Sequence, residues 1–291
     1  MREEIVEWIE MGDGRFWTAR TGRGTAIVWC HGGPGLWDYL APVAAMTNDL
    51  VTSYRYDQRG CGRSSGEGPH TLARSLQDLE ALRAQWCLER FVIAGHSWGA
   101  ELAMHYALAH PEQVAGLIYV SGTGIDASWQ DLYRAERARR LGVDGERERK
   151  ARAAEWQSAG TLEAEHRYYE IQWRTDFADA ETAREHVRKL IVPNVRVNRQ
   201  VNTELSADAA RTTLDASMPD KLRSLQVPAL VIHGAADPRP QGSASRVAEL
   251  LPRGEFVLLA GAGHFPWMEQ PALFERALRG YLTSSRPPPS S

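Results

Sequence analysis

The sequence contains little cysteine. Its 291 residues include three cysteines, Cys30, Cys61 and Cys87. This odd, sparse set lacks metal-ligand spacing, so it predicts neither a disulfide framework nor a zinc site. The scarcity suits a reducing compartment, and we expect a cytoplasmic protein.

The sequence also lacks long apolar runs and a strong excess of either charge. No stretch is apolar enough to span a bilayer, and the N-terminus is acidic where a signal peptide needs basic and then apolar residues. The net charge of −3 gives no reason to expect a nucleic acid or a membrane as a partner. The length and the hydrophobic content of 43% allow one large α/β core or two modest ones, and we expect one catalytic domain with an insertion. The oligomeric state stays open.

A pentapeptide carries the strongest local signal. Residues 95–99 read GHSWG, directly after the apolar run FVIA and directly before a helix-like run at 100–109. Strand, sharp turn and helix in this order are typical of a nucleophile elbow, whose glycines allow the turn that presents a strained serine. The pentapeptide alone would also suit a surface turn, but its flanks favour Ser97 as a nucleophile.

A serine nucleophile needs a histidine base and an acid to orient it. Asp237 lies in a loop after a predicted strand at 227–233, and His264 follows another predicted strand at 256–259. Ser97, Asp237 and His264 therefore occur in the chain order of a known triad arrangement, each at a strand-to-loop junction. We predict that they form a catalytic triad.

Other histidines and aspartates are rivals for these two roles. His31 and His96 belong to motifs in which neighbouring residues are expected to act, and His233 ends a predicted strand. Three aspartates follow no recognisable sheet strand: Asp208, Asp215 and Asp220. We therefore expect structural roles for the three histidines and favour Asp237 over the other aspartates.

Oxyanion stabilisation requires two backbone donors. Residues 31–35 read HGGPG after an early predicted strand, where the second oxyanion donor of such a site is expected. A plain Gly-Pro turn is the alternative for this loop. We expect the N–H groups of Gly33 and Trp98 to form the oxyanion hole.

A polar loop at 57–64 reads DQRGCGRS. Asp57, Arg59 and Arg63 could bind a substrate anion, or they could form an ion-pair network that braces the loop. We favour the brace.

The strand and helix pattern outlines the domain organisation. Residues 15–21 and 26–30 predict two opening strands joined by a hairpin-like turn at 22–24. Alternation continues to a predicted strand at 114–121, and 122–217 then becomes charged and helical in pattern. We predict a catalytic domain at 1–121 and 218–283, a helical cap at 122–217, and a disordered Pro/Ser-rich tail at 284–291.

Aromatic residues are frequent in the second half of the predicted cap. They could form the core of the cap or face a substrate. Our candidates for substrate contacts are Trp37, Tyr168, Tyr169 and Trp173.

The motifs HGGPG, DQRGCGRS and GHSWG, in this order, resemble the proline iminopeptidase group of α/β-hydrolases, the S33 serine peptidases. The resemblance spans the predicted catalytic domain and fades in the cap. It implies a mostly parallel sheet with helices on both faces and an inserted helical cap. It also implies a serine hydrolase that needs no cofactor or metal and releases an N-terminal residue from small peptides or arylamides.

Peptidases of this group use cap and loop glutamates to bind the substrate ammonium, and Glu204 looks like one of these. The alternative is an ion pair with Arg199 or Arg211 within the cap. The chain departs from the group after Asp237, where some members carry a glutamate and this sequence has Pro238 followed by Arg239. A cation there would repel an ammonium.

Three functions remain on the sequence alone. The first is an iminopeptidase-like serine hydrolase working through an acyl-enzyme on a short peptide or other small molecule. The second is an esterase or lactonase acting on a small apolar acyl substrate. The third is a ligand-binding receptor on a hydrolase scaffold.

Overall fold

A computed structural model describes residues 4–126, 128–212 and 215–284. Within these ranges eight strands form one sheet, in the order β1-β2-β4-β3-β5-β6-β7-β8. The strands are β1 Ile5–Met11, β2 Gly14–Gly22, β3 Thr25–Cys30, β4 Val51–Tyr56, β5 Phe91–His96, β6 Val114–Val120, β7 Ala229–Gly234 and β8 Gly254–Leu259. From β4 to β8 every pairing is parallel. The predicted mostly parallel α/β sheet is confirmed.

The opening of the sheet differs from the sequence-based expectation. The turn at 22–24 does not close a hairpin, because β4 lies between β2 and β3 in the sheet. The hairpin joins β2 to β1 instead, with Ile5 opposite Arg20 and Met11 opposite Gly14. Turn residues indicate a change of chain direction, but they do not show which strand the next strand pairs with. The strand β1 is not among the predicted strands.

Helices cover both faces of the sheet. Those of the main domain are α1 Ala41–Ala45, α2 Leu72–Gln85, α3 Trp98–Ala109, α8 Met218–Ser224, α9 Gln241–Leu250, α10 Pro266–Glu269 and α11 Pro271–Ser284. Among the described residues, four helices lie between β6 and α8: α4 Trp129–Ala159, α5 Leu162–Arg174, α6 Ala180–Leu190 and α7 Arg199–Thr212. These helices are inserted between two strands of the sheet, and the boundaries of a cap at 122–217 remain a prediction.

The core consists of two layers separated by the sheet. Alternate residues of β3 show the division: Val28 packs in the layer that holds Leu79 of α2, whereas Ile27 packs in the layer that holds Phe274 of α11. Strands that are apolar on both faces in this way are typical of parallel sheets covered by helices. The carboxyl ends of the parallel strands consequently open at one edge, where loops can present functional groups.

The charged run in α4 is a solvated face, as its alternating signs predict. Arg134 pairs with Asp131 at 2.8 Å and Arg139 with Glu136 at 2.7 Å, each three residues apart on the helix. The helix breaks at Gly142, whose φ of +64° is left-handed.

None of the helices in the described ranges is both long and apolar enough to cross a membrane. Helix α11 includes Ser284, and the rest of the predicted tail, 285–291, lies outside the described residues.

Candidate active site

Ser97 lies on a tight turn between β5 and α3. Its φ of +56° and ψ of −123° are an uncommon backbone conformation for a residue with a side chain. The flanking glycines permit this turn, because a Cβ on Gly95 would lie 1.9 Å from Gly99 O and one on Gly99 would lie 2.0 Å from Cys30 O. The pentapeptide therefore has the geometry of a nucleophile elbow.

Asp237 and His264 meet at the carboxyl edge of the sheet, in the loops after β7 and β8. His264 Nδ1 lies 2.7 Å from Asp237 Oδ2, and both residues are buried. An imidazole nitrogen facing a carboxylate carries the proton, so Nε2 is left as the acceptor. This is the tautomer that a general base needs.

Arg239 supports the Asp237 carboxylate from the other side. Its backbone N–H donates to Asp237 Oδ1 at 2.9 Å, and its guanidinium lies 2.9 Å from Asp176 Oδ1 and 3.4 Å from Asp237 Oδ1. Burial alone raises the pKa of Asp237, but the charge and hydrogen bond of His264, followed by the charges of Arg239 and His233, hold that pKa well below its usual range. Asp237 is therefore ionised at neutral pH.

A hydrogen-bonded chain links three loops of the site. His96 Nε2 lies 2.8 Å from the carbonyl of His264, so it carries the proton of the ring. Burial lowers the pKa of His96 far below its usual value, which keeps the ring neutral. Its Nδ1 then accepts from the Tyr39 hydroxyl at 2.6 Å, and that oxygen accepts from Gly32 N–H at 2.9 Å. Tyr39 is not predicted from the sequence, because no local pattern marks its contact with a residue 57 positions away.

The glycine loop lies against the elbow. A Cβ on Gly32 would be 3.0 Å from the Cβ of Ser97, and Gly33 has a φ of +138°. The inserted segment holds this loop, since Asn202 Nδ2 donates to Pro34 O at 2.8 Å and Asn198 N donates to Gly35 O at 2.8 Å. Gly33, Ser97 and Trp98 thus reach the same space.

That space is a cavity of about 180 Å³. Most of its wall is apolar, formed by residues of α2, the glycine loop, α3, the insertion and α8: Leu72, Pro34, Trp98, Met104, Ile125, Trp129, Ala209, Ala210 and Met218. Charged or titratable groups enter at three points, Glu101, His105 and Arg239. A pocket with a few polar groups in an apolar wall is typical of small-molecule sites.

Glu101 is the acidic group of this cavity. It lies one helical turn after Ser97, and its Oε1 accepts hydrogen bonds from the Tyr119 hydroxyl, from Thr123 N–H at 2.8 Å and from the Thr123 hydroxyl at 3.1 Å. Burial raises the pKa of Glu101 to about 7, although these donors oppose the shift. In the sequence, Glu101 is marked only by its place in the helix-like run at 100–109.

The aromatic residues proposed to contact substrate do not line this cavity. Tyr169 packs between Trp156 and Trp173, with ring centroids 5.4 and 4.6 Å away, and Tyr168 stacks on Trp156. Trp37 is buried with its ring 6.3 Å from Trp173. These residues form a separate aromatic cluster within and beside the insertion, as the alternative reading of the sequence held. Trp129 and Trp98 are the aromatic residues of the cavity wall.

Glu204 also lies outside the cavity wall. Its Oε1 accepts from Gln200 Nε2 at 2.9 Å, and its Oε2 accepts from His70 N–H at 3.3 Å. Arg211 instead bonds Asp208, and Arg199 lies over the Trp156 ring. Glu204 therefore ties α7 to the loop before α2, and neither the ammonium site nor the predicted ion pairs match its surroundings.

The loop at 57–64 is internally braced. Arg63 Nε lies 2.6 Å from Asp57 Oδ2, and Nε and Nη2 of Arg59 each donate to Asp78 at 2.7 Å. His31 is part of the same brace, because its Nε2 accepts from Gln58 N–H at 3.0 Å. These contacts agree with the bracing role and occupy the groups that an anion would need.

Across 4–126, 128–212 and 215–284, no three His, Cys, Asp or Glu residues are grouped as metal ligands.

Comparison with known proteins gives the same fold. The profile of the alpha/beta hydrolase family matches residues 27–277. The chain belongs to the alpha/beta hydrolase family. A proline iminopeptidase from Lactobacillus delbrueckii subsp. bulgaricus is 26% identical over 280 residues, which cover 89% of this chain and 90% of the relative.

Other matches are shorter or more distant in sequence. A putative proline iminopeptidase from Mycoplasma pneumoniae is 38% identical over 113 residues, and this match spans 37% of each chain. The solved structure of an alpha/beta fold family hydrolase from Bacillus anthracis superposes with a TM-score of 0.76 at 18% identity, over 97% of this chain and 99% of that one. The predicted resemblance to the proline iminopeptidase group and the predicted fold are confirmed.

Proposed function

We propose that the protein is a serine hydrolase that acts through an acyl-enzyme and, like the proline iminopeptidases it resembles, releases an N-terminal residue from small peptides or arylamides. One observation carries the proposal: Ser97 on a strained elbow lines a cavity at the sheet edge where the His264 and Asp237 pair is held. The relatives named proline iminopeptidases support this substrate class.

In this mechanism His264 Nε2 takes the Ser97 proton as the Ser97 oxygen attacks the substrate carbonyl. Asp237 keeps the imidazole in its reactive tautomer and stabilises the imidazolium that forms. The N–H groups of Gly33 and Trp98 donate to the developing oxyanion. His264 then protonates the leaving amine, and water activated by the same histidine hydrolyses the acyl-enzyme.

The inserted helical segment acts as a cap in this proposal. Trp129 of α4 and Asn202 of α7 form part of the cavity wall, and Asn202 also holds the glycine loop through Pro34. Arg140 donates to the carbonyl of Ala236, next to Asp237, at 2.7 Å. The segment 122–217 therefore supports both the shape of the pocket and the loops that carry the proposed triad.

An esterase-like hydrolase is the second candidate. The apolar wall of the cavity and the position of Glu204 outside it favour a neutral acyl substrate. Arg239 at the cavity also favours this candidate, although its charge is balanced by Asp176 and Asp237.

Paired assays distinguish the two candidates. Purified protein is given a proline arylamide and a short-chain aryl ester, and kcat/KM is measured for each. Iminopeptidase-like activity predicts efficient hydrolysis of the arylamide, whereas turnover of the ester alone would favour the esterase. Hydrolysis of neither would contradict the proposed function.

A further inference from the structure

Glu101 shares the cavity with the proposed nucleophile. Ser97 and Glu101 are four residues apart at the start of α3, where such positions are neighbours on one helix face, with Cβ atoms about 5–6 Å apart. Both residues line the cavity. A carboxyl group so close to the reacting serine is in position to meet a substituent near the substrate carbonyl.

The contacts of Glu101 fix how its carboxyl group is used. Tyr119 and both donors of Thr123 bond to the same atom, Oε1. Because a backbone N–H can only donate, Oε1 serves as an acceptor, and a proton on this carboxyl group belongs on Oε2. These contacts immobilise the group through Oε1, and the backbone of Gly124 further favours the carboxylate. Oε2 accepts none of these three hydrogen bonds, so it is the atom that changes between acceptor and donor.

We propose that Glu101 is the specificity residue of this cavity: as a carboxylate it binds a substrate ammonium, and as a carboxylic acid it donates from Oε2 to a neutral acceptor on the substrate. The proposal rests on the proposed function, in which the acyl part of the substrate occupies this cavity. Glu101, rather than Glu204, then binds the substrate ammonium.

The surroundings allow Glu101 to switch near neutral pH. Its own pKa is raised to about 7 by burial, chiefly because the cavity wall removes water from the carboxylate. The other titratable groups that face it keep one state there. Burial raises the pKa of Tyr119 on β6, burial and then Lys221 lower the pKa of His105 on α3 to about 4, and the carboxylates around Arg239 outweigh burial and raise its pKa.

The size of the cavity suggests matched probes. Its volume of about 180 Å³ is similar to the roughly 150 Å³ engineered cavity that holds benzene. Three acyl groups with a five-membered ring fit this scale and differ at one ring atom: prolyl carries an ammonium, tetrahydrofuran-2-carbonyl carries an ether oxygen, and cyclopentanecarbonyl carries neither. We use them as arylamides, or as aryl esters if only esters are hydrolysed.

The test compares kcat/KM ratios across pH in the wild-type protein. Between about pH 6 and pH 8, ionisation of Glu101 is expected to increase the prolyl to cyclopentanecarbonyl ratio by about tenfold or more and to decrease the tetrahydrofuran-2-carbonyl to cyclopentanecarbonyl ratio. Titration of the triad affects all three probes and cancels in the ratios. The amine of the prolyl probe also loses its proton as the pH rises. This loss is the same with every protein variant, so comparing the wild type with the variants below removes its effect.

Two isosteric variants provide the comparison. Glu101→Gln removes the charge inside the cavity, and Glu204→Gln makes the same change outside it. We expect Glu101→Gln to lower the prolyl to cyclopentanecarbonyl ratio of kcat/KM at pH 8 by about ten- to a hundredfold. We also expect both kcat/KM ratios of the variant to lack the pH dependence that ionisation of Glu101 causes in the wild type. Glu204→Gln is expected to keep the wild-type ratios. Equal ratios in wild type and Glu101→Gln, or a loss in Glu204→Gln alone, would overturn the proposal.

A binding measurement separates this proposal from the proposed function. Ser97→Ala protein, with and without Glu101→Gln, is titrated calorimetrically with prolinamide and cyclopentanecarboxamide, and circular dichroism checks the fold of both proteins. Preferential binding of prolinamide that disappears with Glu101→Gln supports the role of Glu101 even if no arylamide or ester is turned over. Binding without preference in the Ser97→Ala protein would reject it even if Ser97 proves to be the nucleophile.

Discussion

His264 Nδ1 and Asp237 Oδ2 lie 2.7 Å apart in a buried part of the site. The carboxylate also receives the backbone N–H of Arg239 at 2.9 Å on its other oxygen. Both oxygens of Asp237 are therefore used, one to orient the imidazole and one to fix the carboxylate. Replacing the carboxylate by an amide therefore tests the orientation of the imidazole directly.

Asp237→Asn is expected to lower kcat by roughly 10⁴-fold, less than the loss of the proposed serine. The amide can donate to His264 Nδ1 and so favours the tautomer that cannot accept the serine proton. Steady-state kinetics on the better of the two aryl substrates measure the effect. A variant with kcat within tenfold of wild type would show that Asp237 does not orient the base.

Arg239→Gln is expected to lower both stability and activity. Arg239 bridges Asp176 of the insertion and Asp237, and it lies 4.4 Å above the Tyr133 ring. Removing one member of a buried ion pair costs roughly 3–5 kcal/mol, because the remaining carboxylates lose their partner. Denaturant unfolding measures the loss, and kcat/KM is measured under conditions where the variant is folded.

Arg59→Gln is the matched control for this variant. Arg59 forms a comparable buried pair with Asp78 but does not contact the triad. We expect a similar loss of stability from this change and a much smaller loss of kcat/KM than in Arg239→Gln. Equal losses of kcat/KM in the two folded variants would mean that Arg239 acts only on stability.

Gly33→Ala tests the proposed oxyanion loop. A Cβ at this position would lie 2.8 Å from Gly35 N and 2.9 Å from Leu36 N, and the φ of +138° is strained for alanine. The loop must shift, so we expect kcat to fall by roughly 10²- to 10³-fold if a donor is displaced. Gly242→Ala is the control, since open space surrounds that position. Comparable kcat for both variants would argue against the donor role.

Glu101 should make stability depend on pH. Its pKa rises from an ordinary 4.5 to about 7 on folding, so the folded state holds the proton more strongly and stability falls as pH rises through this window. Glu101→Gln has no such titration. We expect its free energy of unfolding to improve relative to wild type by on the order of 3 kcal/mol between about pH 4.5 and pH 8. Urea unfolding at several pH values measures this, and a constant difference would contradict it.

Much of the fold could be predicted because its signals are local. The apolar runs of β5, β7 and β8 each end in a short loop, so the positions of Ser97, Asp237 and His264 after sheet strands follow from the sequence alone. The prediction of a hairpin at 22–24 is wrong because a turn does not show whether another strand of the sheet lies between the two strands that it joins. That choice depends on β4, which comes later in the chain.

The cavity wall was less predictable than the loops that surround it. Tyr169 and Trp173 lie on the same helix as many charged residues, and helical periodicity does not show whether their face meets the cavity or the rest of the insertion. Glu101 follows the GHSWG pentapeptide by two residues, but its proposed role depends on Tyr119 and Thr123 from β6 and the following loop. Contacts of this kind arise only when separate elements are packed.

The central claim is that Ser97 is the nucleophile of an acyl-transfer reaction, and kcat of Ser97→Ala tests it most directly. The side chain of Ser97 is buried, and alanine differs from it only by the loss of the hydroxyl oxygen. Circular dichroism should therefore show an intact fold. Because triad members act as a unit, we expect kcat to fall by roughly four to six orders of magnitude, with His264→Ala losing about as much. Near-wild-type turnover by folded Ser97→Ala protein would contradict the account.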